Sequence, residues 1–127
     1  MVRDRRKAYQ KGARAERLAA WYLRLKGYRV LAQRFKTPVG ELDLVVRRGR
    51  VLAFVEVKAR QNLEDAAMAI SPQARGRIER AANWFLSQQN MASRSHRSAE
   101  IIRFDMVLVA PGRRPHHVVN AWAAGMA

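Results

Sequence analysis

The sequence predicts an α/β fold in which helices flank a mixed central sheet, in the order α-β-β-β-α-β-β. An amphipathic helical segment comes first, and three strand-like segments follow it closely. A second helical segment then precedes two further strand-like segments. Because consecutive strands tend to pair and helices cover the faces of a sheet, this order favours a single domain built on a β-meander. The domain spans residues 1–127, and we expect 1–8 and 123–127 to be flexible.

The first helix is predicted from about residue 12 to residue 26 and ends at Gly27. Glu16 lies on a stripe of small residues along this helix, where a helix can approach a sheet closely. Taken alone, Glu16 would be an exposed acid that pairs with Arg14 or Arg17. Taken with the acids further along the chain, Glu16 becomes a candidate acidic group that reaches over the sheet.

Three strands are predicted next, beginning with residues 28–35. Two apolar runs follow, and a basic, glycine-containing turn joins them. If the turn is a two-residue loop formed by Arg48 and Gly49, then Arg47 lies opposite Arg50. This register decides which side chains of the two strands face each other.

Three of the ten acidic residues lie inside these two runs: Glu41, Asp43 and Glu56. In the predicted register Glu41 faces Glu56, and Asp43 is the diagonal neighbour of Glu56. Alternation along the strand brings Lys58 to the same face. Clustered carboxylates repel each other unless a cation lies among them, and oxygen ligands suit magnesium or manganese. The pattern therefore predicts a Mg²⁺ or Mn²⁺ site at Asp43 and Glu56, with Glu16 and Glu41 as further candidate ligands.

The second half of the chain is predicted to complete the sheet. Residues 61–67 are polar and are predicted to form a mobile loop. A Ser-Pro pair, which is typical of a helix start, opens a helix over residues 71–89. Residues 91–99 are predicted to be a flexible connection, and residues 100–110 and 115–122 are predicted to be the last two strands.

Polar residues within the last two strands receive a structural interpretation. Arg103 and Asp105 are two residues apart on one strand face, which favours a structural contact between them. The adjacent His116 and His117 point to opposite faces, so they cannot easily bind one ion together. None of the chain's three histidines is predicted to be a zinc ligand or a general base.

The net charge of +15 is the strongest compositional signal, and twenty of the twenty-five basic residues are arginine. Arginine binds phosphate in a bidentate manner, so DNA or RNA is the predicted partner. Two alternatives would also explain the net charge: it only keeps the protein soluble, or it binds an acidic membrane surface. The predicted nucleic-acid contacts are Arg48, Arg60, Arg75 and Arg77, although the helix arginines would also suit a solvated face.

Composition also excludes several classes of function. The chain contains no cysteine, which excludes disulfides, thiol nucleophiles and Cys-ligated zinc and is compatible with a reducing cytoplasm. No apolar run approaches the length of a membrane span, so we expect a cytoplasmic protein with no membrane partner.

Several motifs together carry a family resemblance. Asp43, followed after twelve residues by Glu56-Val57-Lys58, resembles the PD-(D/E)xK nuclease signature. The fuller set is G-A-R-A-E at 12–16, L-K-G-Y at 25–28, G-E-L-D-L at 40–44, F-V-E-V-K-A-R at 54–60 and R-F-D at 103–105. This set resembles the YraN family over about residues 9–122. That family is similar in fold to archaeal Holliday-junction resolvases and restriction endonucleases.

The resemblance implies a restriction-endonuclease-like fold and a divalent-metal-dependent endonuclease that hydrolyses phosphodiester bonds in structured or branched DNA. It implies that Glu16 is the helix glutamate of a resolvase-like site and Asp43 the metal-bridging aspartate. Glu56 and Lys58 match the E-x-K pair, whereas the role of Glu41 stays open. Since resolvase-like folds often act as dimers, a homodimer is one option.

One departure from the family pattern affects phosphate binding. The family often carries a lysine on the second helix in a T-x-x-K arrangement, where this chain has Ser71-Pro72-Gln73-Ala74. Two alternatives to an active nuclease stay open at this point. One is a catalytically silent DNA- or RNA-binding protein on a nuclease-like fold. The other is a set of internal salt bridges in which Lys58 neutralises the acids.

Overall fold

The computed structural model describes residues 2–92 and 101–125 and confirms the predicted class and order of elements. The helices are α1 (Val2–Leu25), α2 (Leu63–Ala67) and α3 (Pro72–Ala92). The strands are β1 (Arg29–Thr37), β2 (Gly40–Arg48), β3 (Val51–Ala59), β4 (Ile101–Val109) and β5 (His116–Trp122). None of the helices in the described residues has the length and apolar character that crossing a membrane requires.

The strands form one mixed sheet in the order β1-β2-β3-β4-β5. Antiparallel pairing joins β1 to β2 and β2 to β3, which gives the predicted meander. β4 pairs parallel to β3, because α2 and α3 carry the chain back across the sheet, and β5 pairs antiparallel to β4. The carboxyl ends of the two parallel strands β3 and β4 therefore meet at one edge of the sheet.

The two long helices cover opposite faces of the sheet. α1 buries Ala15, Ala19 and Leu23 against strand residues such as Val46 and Val55. Its small side chains allow the close approach that the sequence predicts for the stripe that carries Glu16. On the other face α3 packs its apolar residues around the buried aromatic rings of the strands, and this core contains Ile78, Ala82, Phe85, Phe54 and Phe104.

Gly40 fixes the contact between α3 and the start of β2. Its φ is +154°, a conformation that side-chain-bearing residues rarely adopt. A Cβ atom built at Gly40 would lie 3.3 Å from the Arg77 carbonyl oxygen and 3.7 Å from the Ala81 Cβ. The glycine therefore lets the backbone of α3 approach the strand that carries Asp43.

The predicted register between β2 and β3 is wrong by one position on each strand. Arg48 pairs with Val51, so the two-residue loop consists of Gly49 and Arg50 rather than Arg48 and Gly49. Gly49 has a φ of +60° at the first loop position, which is where type II′ hairpin turns need glycine. The shift preserves the faces of the side chains, because both strands move by one residue.

The same shift changes the neighbours of the acids. Val45 pairs with Phe54 and Leu44 with Val55, so Asp43 and Glu56 follow as the next residues on each side. Asp43 is therefore the direct neighbour of Glu56, not the diagonal one.

Two element boundaries also differ from the predictions. The first helix begins at Val2, about ten residues earlier than predicted. Residues 61–67 were predicted as a loop, but α2 occupies most of this segment because the Asn62 side chain caps it by accepting the Asp65 N–H at 2.8 Å. Of the connection predicted over 91–99, residues 93–99 lie outside the described residues.

Candidate active site

The candidate site lies where regular pairing between β2 and β3 stops. The ladder runs from Arg48–Val51 to Leu44–Val55. Beyond it, the Asp43 side chain continues the pairing, because its Oδ2 accepts a hydrogen bond from the Val57 N–H at 2.9 Å. An acid inside a strand thus has a defined structural position and does not simply interrupt the strand.

Asp43 and Glu56 form a tightly interacting carboxyl pair. Burial raises the pKa of Asp43 above its ordinary value, against the hydrogen bonds that it receives from the Val57 N–H and from Glu56. Burial and the neighbouring Asp43 charge raise the pKa of Glu56 from 4.5 to about 8, against the attraction of Lys58. The fold therefore disfavours the ionisation of both carboxyl groups at once.

Lys58 completes this part of the site. Its Nζ lies 3.3 Å from Glu56 Oε1, and the two side chains are 23% and 13% exposed. The two-residue spacing on β3 puts both side chains on one face, as the sequence predicts. The structure therefore brings Asp43, Glu56 and Lys58 together at one point.

Glu16 reaches the same region from α1. It accepts a hydrogen bond from Arg34 on β1, and the pair is an ion pair with Glu16 14% exposed. Burial raises the pKa of Glu16, Arg34 lowers it, and the Asp43 charge raises it again. Glu16 lines the same cavity as Lys58, so α1 brings this predicted acid to the side of the sheet end where Lys58 lies.

Arg34 is the site residue that sequence reasoning missed. Its φ of +49° is uncommon for a residue with a side chain, and the alternation of burial along β1 breaks at Arg34 and Phe35, which are both half-buried. One signal was available in the sequence: Arg34 alternates onto the face of Val30, which packs on the α1 side, and an arginine there needs an acidic partner.

Glu41 is exposed, and its charge raises the pKa of both Asp43 and Glu16. It therefore lies near the carboxyl pair. Within residues 2–92 and 101–125, no three side chains of Asp, Glu or His converge closely enough to hold a metal ion by themselves. A metal ligand set at this point would consist of the Asp43–Glu56 pair completed by backbone oxygen or water.

The donor chemistry of the pair fits a hard divalent cation. Both side chains have only oxygen atoms as possible ligands, and a nearby positive charge would lower the raised pKa of Glu56. Mg²⁺ typically keeps several waters and binds through one or two carboxylates together with substrate phosphates. Two protein carboxylates are therefore a sufficient side-chain set for this ion.

A cavity of about 210 Å³ opens beside Lys58, and its lining residues include neither Asp43 nor Glu56. Glu16 from α1 lines one side, and Val57, Lys58 and Arg60 from the end of β3 line the other. The cavity gives a ligand access to Lys58 and Glu16 together.

The four predicted nucleic-acid contacts occupy different positions. Arg60 is exposed and lines the cavity beside the site. Arg77 is exposed on α3, close to the start of β2. Arg75 is partly buried with its guanidinium 5.9 Å from the centre of the Trp122 ring. Arg48 lies five residues beyond Asp43 along β2, roughly 17 Å away, and donates a hydrogen bond to the Lys26 carbonyl.

A second polar network lies on β4 and β5 and is structural. Arg103 donates to both oxygens of Asp105, at 3.0 and 2.7 Å, which is the predicted contact. His117 and the Asn120 N–H also hydrogen-bond to Asp105, at 2.7 and 2.9 Å. Sequence reasoning did not connect His117 to this carboxylate. Asp105 is fully buried, and the His117 side chain is 1% exposed, so substrate cannot reach this pair.

Comparison with known proteins agrees with the motif-based resemblance. A model of the family described as "Uncharacterised protein family UPF0102" matches residues 15–109. A UPF0102 protein of Chelativorans sp. is 52% identical over 121 residues, which cover 95% of this chain and 94% of the relative. UPF0102 proteins of Parvibaculum lavamentivorans and Bartonella bacilliformis are 53% and 48% identical, each over 91% of this chain and over 83% and 91% of the relative. The chain belongs to the UPF0102 family, which is the YraN family of the motif-based resemblance.

Proposed function

We propose that this protein is a divalent-cation-dependent endonuclease that hydrolyses phosphodiester bonds in structured or branched DNA. The observation that carries the proposal is the buried carboxyl pair of Asp43 and Glu56 with Lys58 beside it, at the open end of the β2–β3 ladder. Asp43, Glu56 and Lys58 match the Asp, Glu and Lys positions of the PD-(D/E)xK signature, whereas Leu42 stands where the signature has proline.

The energetics of the pair favour a functional role over a structural one. Burial raises the pKa of Asp43, Glu56 and Glu16, so the folded chain disfavours the ionised form of each acid. Arg34 pairs with Glu16 and Lys58 pairs with Glu56, yet the pKa of both acids stays raised, so these two cations do not fully offset the cost of ionisation. A protein that only binds nucleic acid gains nothing from acids that repel a polyanion. Cation binding supplies the missing reason for clustering them.

Asp43 and Glu56 are the residues that would hold the cation, with the Val57 carbonyl as a neighbouring oxygen donor, whereas Glu16 is paired with Arg34. A divalent cation bound there lowers the pKa of water and neutralises charge on a phosphate group. The Val57 N–H fixes the orientation of Asp43 through the 2.9 Å hydrogen bond. The protein thereby orients the pair before a substrate arrives.

Lys58 and Arg34 have separate roles in this proposal. Lys58 lies beside the carboxyl pair and is partly exposed to the cavity, so its ammonium group can contact a phosphate oxygen. Arg34 is a positioning residue, because it holds Glu16 by an ion pair on the opposite side of the cavity. The exposed Arg60 adds positive charge at the cavity rim for the substrate backbone.

The test is a cleavage assay of the purified chain on labelled linear, flapped and four-way DNA with Mg²⁺ or Mn²⁺. We expect cation-dependent cleavage of a branched substrate, lost in Asp43→Asn and Glu56→Gln with DNA affinity retained. Asp65→Asn is the matched control, because Asp65 is an exposed acid on α2 whose side chain accepts a hydrogen bond from Asn62. Absence of cleavage by the wild type across the panel would contradict the proposal.

A catalytically silent nucleic-acid-binding protein is the second candidate function. Two observations favour it. Within the described residues no third Asp, Glu or His side chain joins the carboxyl pair to bind a metal ion, and Lys58 already pairs with Glu56. This candidate predicts tight, salt-sensitive binding of the same DNA panel, with no cleavage and no loss of affinity in Asp43→Asn.

A further inference from the structure

Three neighbouring cavities form a groove that leads away from the candidate site. The first cavity contains Glu16 and Lys58 and shares Ala15, Ala59 and Arg60 with a second cavity of about 430 Å³. The second shares Gly112 and Arg113 with a third cavity of about 630 Å³. The groove therefore runs past the carboxyl ends of the parallel strands β3 and β4, which is where ligands bind in open α/β sheets.

The middle cavity has an apolar floor and a basic rim. The floor is built mainly from α1 and from the ends of β3 and β4, with Ala15, Leu18, Ala59, Val109, Ala110 and Pro111. Arg14, Arg60 and Arg113 surround it, and all three are exposed. The residues that line this cavity include no aspartate or glutamate. A ligand that fits this cavity therefore has a flat or compact apolar part and a negatively charged group.

The far cavity continues the same chemistry. Tyr22, Arg113, Arg114 and His116 line it, and the Lys26 ammonium group lies 5.6 Å from the centre of the Tyr22 ring. Aromatic rings that accept stacked bases, interspersed with arginines that contact phosphates, are typical of grooves for single-stranded nucleic acid. Across the three cavities, the only acidic lining residue is Glu16, at the end that adjoins the carboxyl pair.

We propose that this groove takes an unpaired strand that leaves the candidate site, and that the middle cavity holds one unstacked nucleotide. The base would lie against the Leu18 and Pro111 floor, with its flanking phosphates on Arg14, Arg60 and Arg113. A base within a duplex keeps its faces stacked on its neighbours, so only an unpaired nucleotide can present a face to this floor. The inference rests on the proposed nuclease function, because that function makes the candidate site the end of the groove from which the strand leaves. It narrows the substrate to DNA with a single-stranded segment.

The test is an NMR titration of the isotopically labelled chain in EDTA, which removes cleavage from the measurement. The probes are deoxythymidine 5′-monophosphate, deoxyribose 5-phosphate and inorganic phosphate. We expect the nucleotide to shift the amide signals of Ala15, Ala59 and Gly112 and to bind about tenfold more tightly than deoxyribose 5-phosphate, which is the effect of one stacked base. Equal affinities for the two probes, or shifts elsewhere only, would overturn the inference.

Two variants sharpen the test without risk to the core. Leu18→Ser removes apolar floor at a side chain that is already 39% exposed, and Leu31→Ser is its control on β1 at 44% exposure. We expect Leu18→Ser to abolish the preference for the nucleotide and Leu31→Ser to keep it. Arg113→Ala should weaken both phosphorylated probes about equally, whereas Arg29→Ala, at an exposed position outside the groove, should weaken neither. Unchanged binding in both Leu18→Ser and Arg113→Ala would overturn the inference.

The same outcomes separate this inference from the proposed function. Nucleotide binding in the middle cavity by a chain that cuts no DNA would support the groove and contradict the nuclease. Cleavage that is equally fast on fully paired and flapped DNA, and unaffected by Leu18→Ser, would support the nuclease and overturn the groove.

Discussion

The Asp43 carboxylate accepts the backbone N–H of Val57 at 2.9 Å, the position at which the β2–β3 ladder has ended. A side chain thus takes the place of a strand carbonyl, and the two strands stay joined while their ends separate. This contact holds Asp43 beside Glu56, although the Asp43 charge raises the pKa of Glu56. The site is therefore assembled by the fold before any ligand binds.

The pH dependence of stability should report the carboxyl pair. In the cation-free protein the pKa of Glu56 is raised from 4.5 to about 8, so the folded state binds a proton that the unfolded state has lost over this window. The stabilisation by that proton is fully present below pH 4.5 and is lost as the pH rises through about 8. Glu56→Gln removes this contribution. Between these pH values the free energy of unfolding of Glu56→Gln minus that of the wild type should therefore rise by up to about 1.4 kcal/mol per pH unit.

Denaturant unfolding in EDTA from pH 5 to pH 9 measures this difference. Glu64→Gln serves as the control, because Glu64 is an exposed acid in the first turn of α2. Parallel pH profiles for the wild type and Glu56→Gln would show that Glu56 does not titrate abnormally.

Asp105 should contribute stability of the opposite pH sign. Burial acts to raise its pKa, but hydrogen bonds from His117, Arg103 and the Asn120 N–H hold the pKa of Asp105 below its ordinary 3.8. Its contribution is therefore present above about pH 4 and is lost as the pH falls through the lowered pKa. Asp105→Asn should lower the free energy of unfolding at pH 7 by about 3–5 kcal/mol, since it breaks a buried charge network. A loss below 1 kcal/mol in a urea titration would contradict this account of the network.

Gly40 should be the glycine whose replacement costs most. Gly40→Ala combines a φ of +154° with a Cβ 3.3 Å from the Arg77 carbonyl, so we expect a loss of about 2–3 kcal/mol. Gly49→Ala is the matched control at a φ of +60°, where a Cβ meets nothing within 4 Å, and should cost only about 1 kcal/mol. Chemical denaturation of the two variants compares them. Equal losses would mean that the contact between α3 and β2 carries no steric constraint.

Arg60 should contribute to electrostatic DNA binding. If it contacts one phosphate, Arg60→Ala should weaken the binding of all DNA sequences similarly and reduce the slope of log K against log salt by about one. Arg29→Ala, an exposed arginine at the start of β1, should leave the slope unchanged. Fluorescence anisotropy at several salt concentrations gives both slopes, and equal slopes for the two variants would exclude Arg60 as a specific phosphate contact.

Local sequence patterns predicted the α/β order and the close approach of Lys58 to Glu56. Period-two alternation is sufficient to put Glu56 and Lys58 on one face, and a shift of one residue on both strands does not alter it. The register depended on whether Gly49, with its positive φ, is the first or the second residue of the hairpin loop. The Arg48-Gly49 pair in the sequence does not decide between these two positions.

Contacts between distant segments could not be predicted in the same way. Arg34 meets Glu16 only because α1 crosses the sheet above β1, and His117 meets Asp105 only because β5 pairs with β4. A hydrophobic pattern also cannot show that the Asp43 carboxylate, and not a backbone carbonyl, accepts the Val57 N–H. α2 was missed because a single Asn62 cap decides its start.

The most direct test of the central claim is a Mn²⁺ titration at pH 8 followed by thermal unfolding of the wild type, Asp43→Asn, Glu56→Gln and Asp65→Asn. We expect millimolar Mn²⁺ to raise the Tm of the wild type and of Asp65→Asn by several degrees, because the cation would bind the folded state at the carboxyl pair. We expect no such rise for Asp43→Asn or Glu56→Gln. An equal rise in all four proteins, or none in the wild type, would contradict the assignment of Asp43 and Glu56 as a cation site.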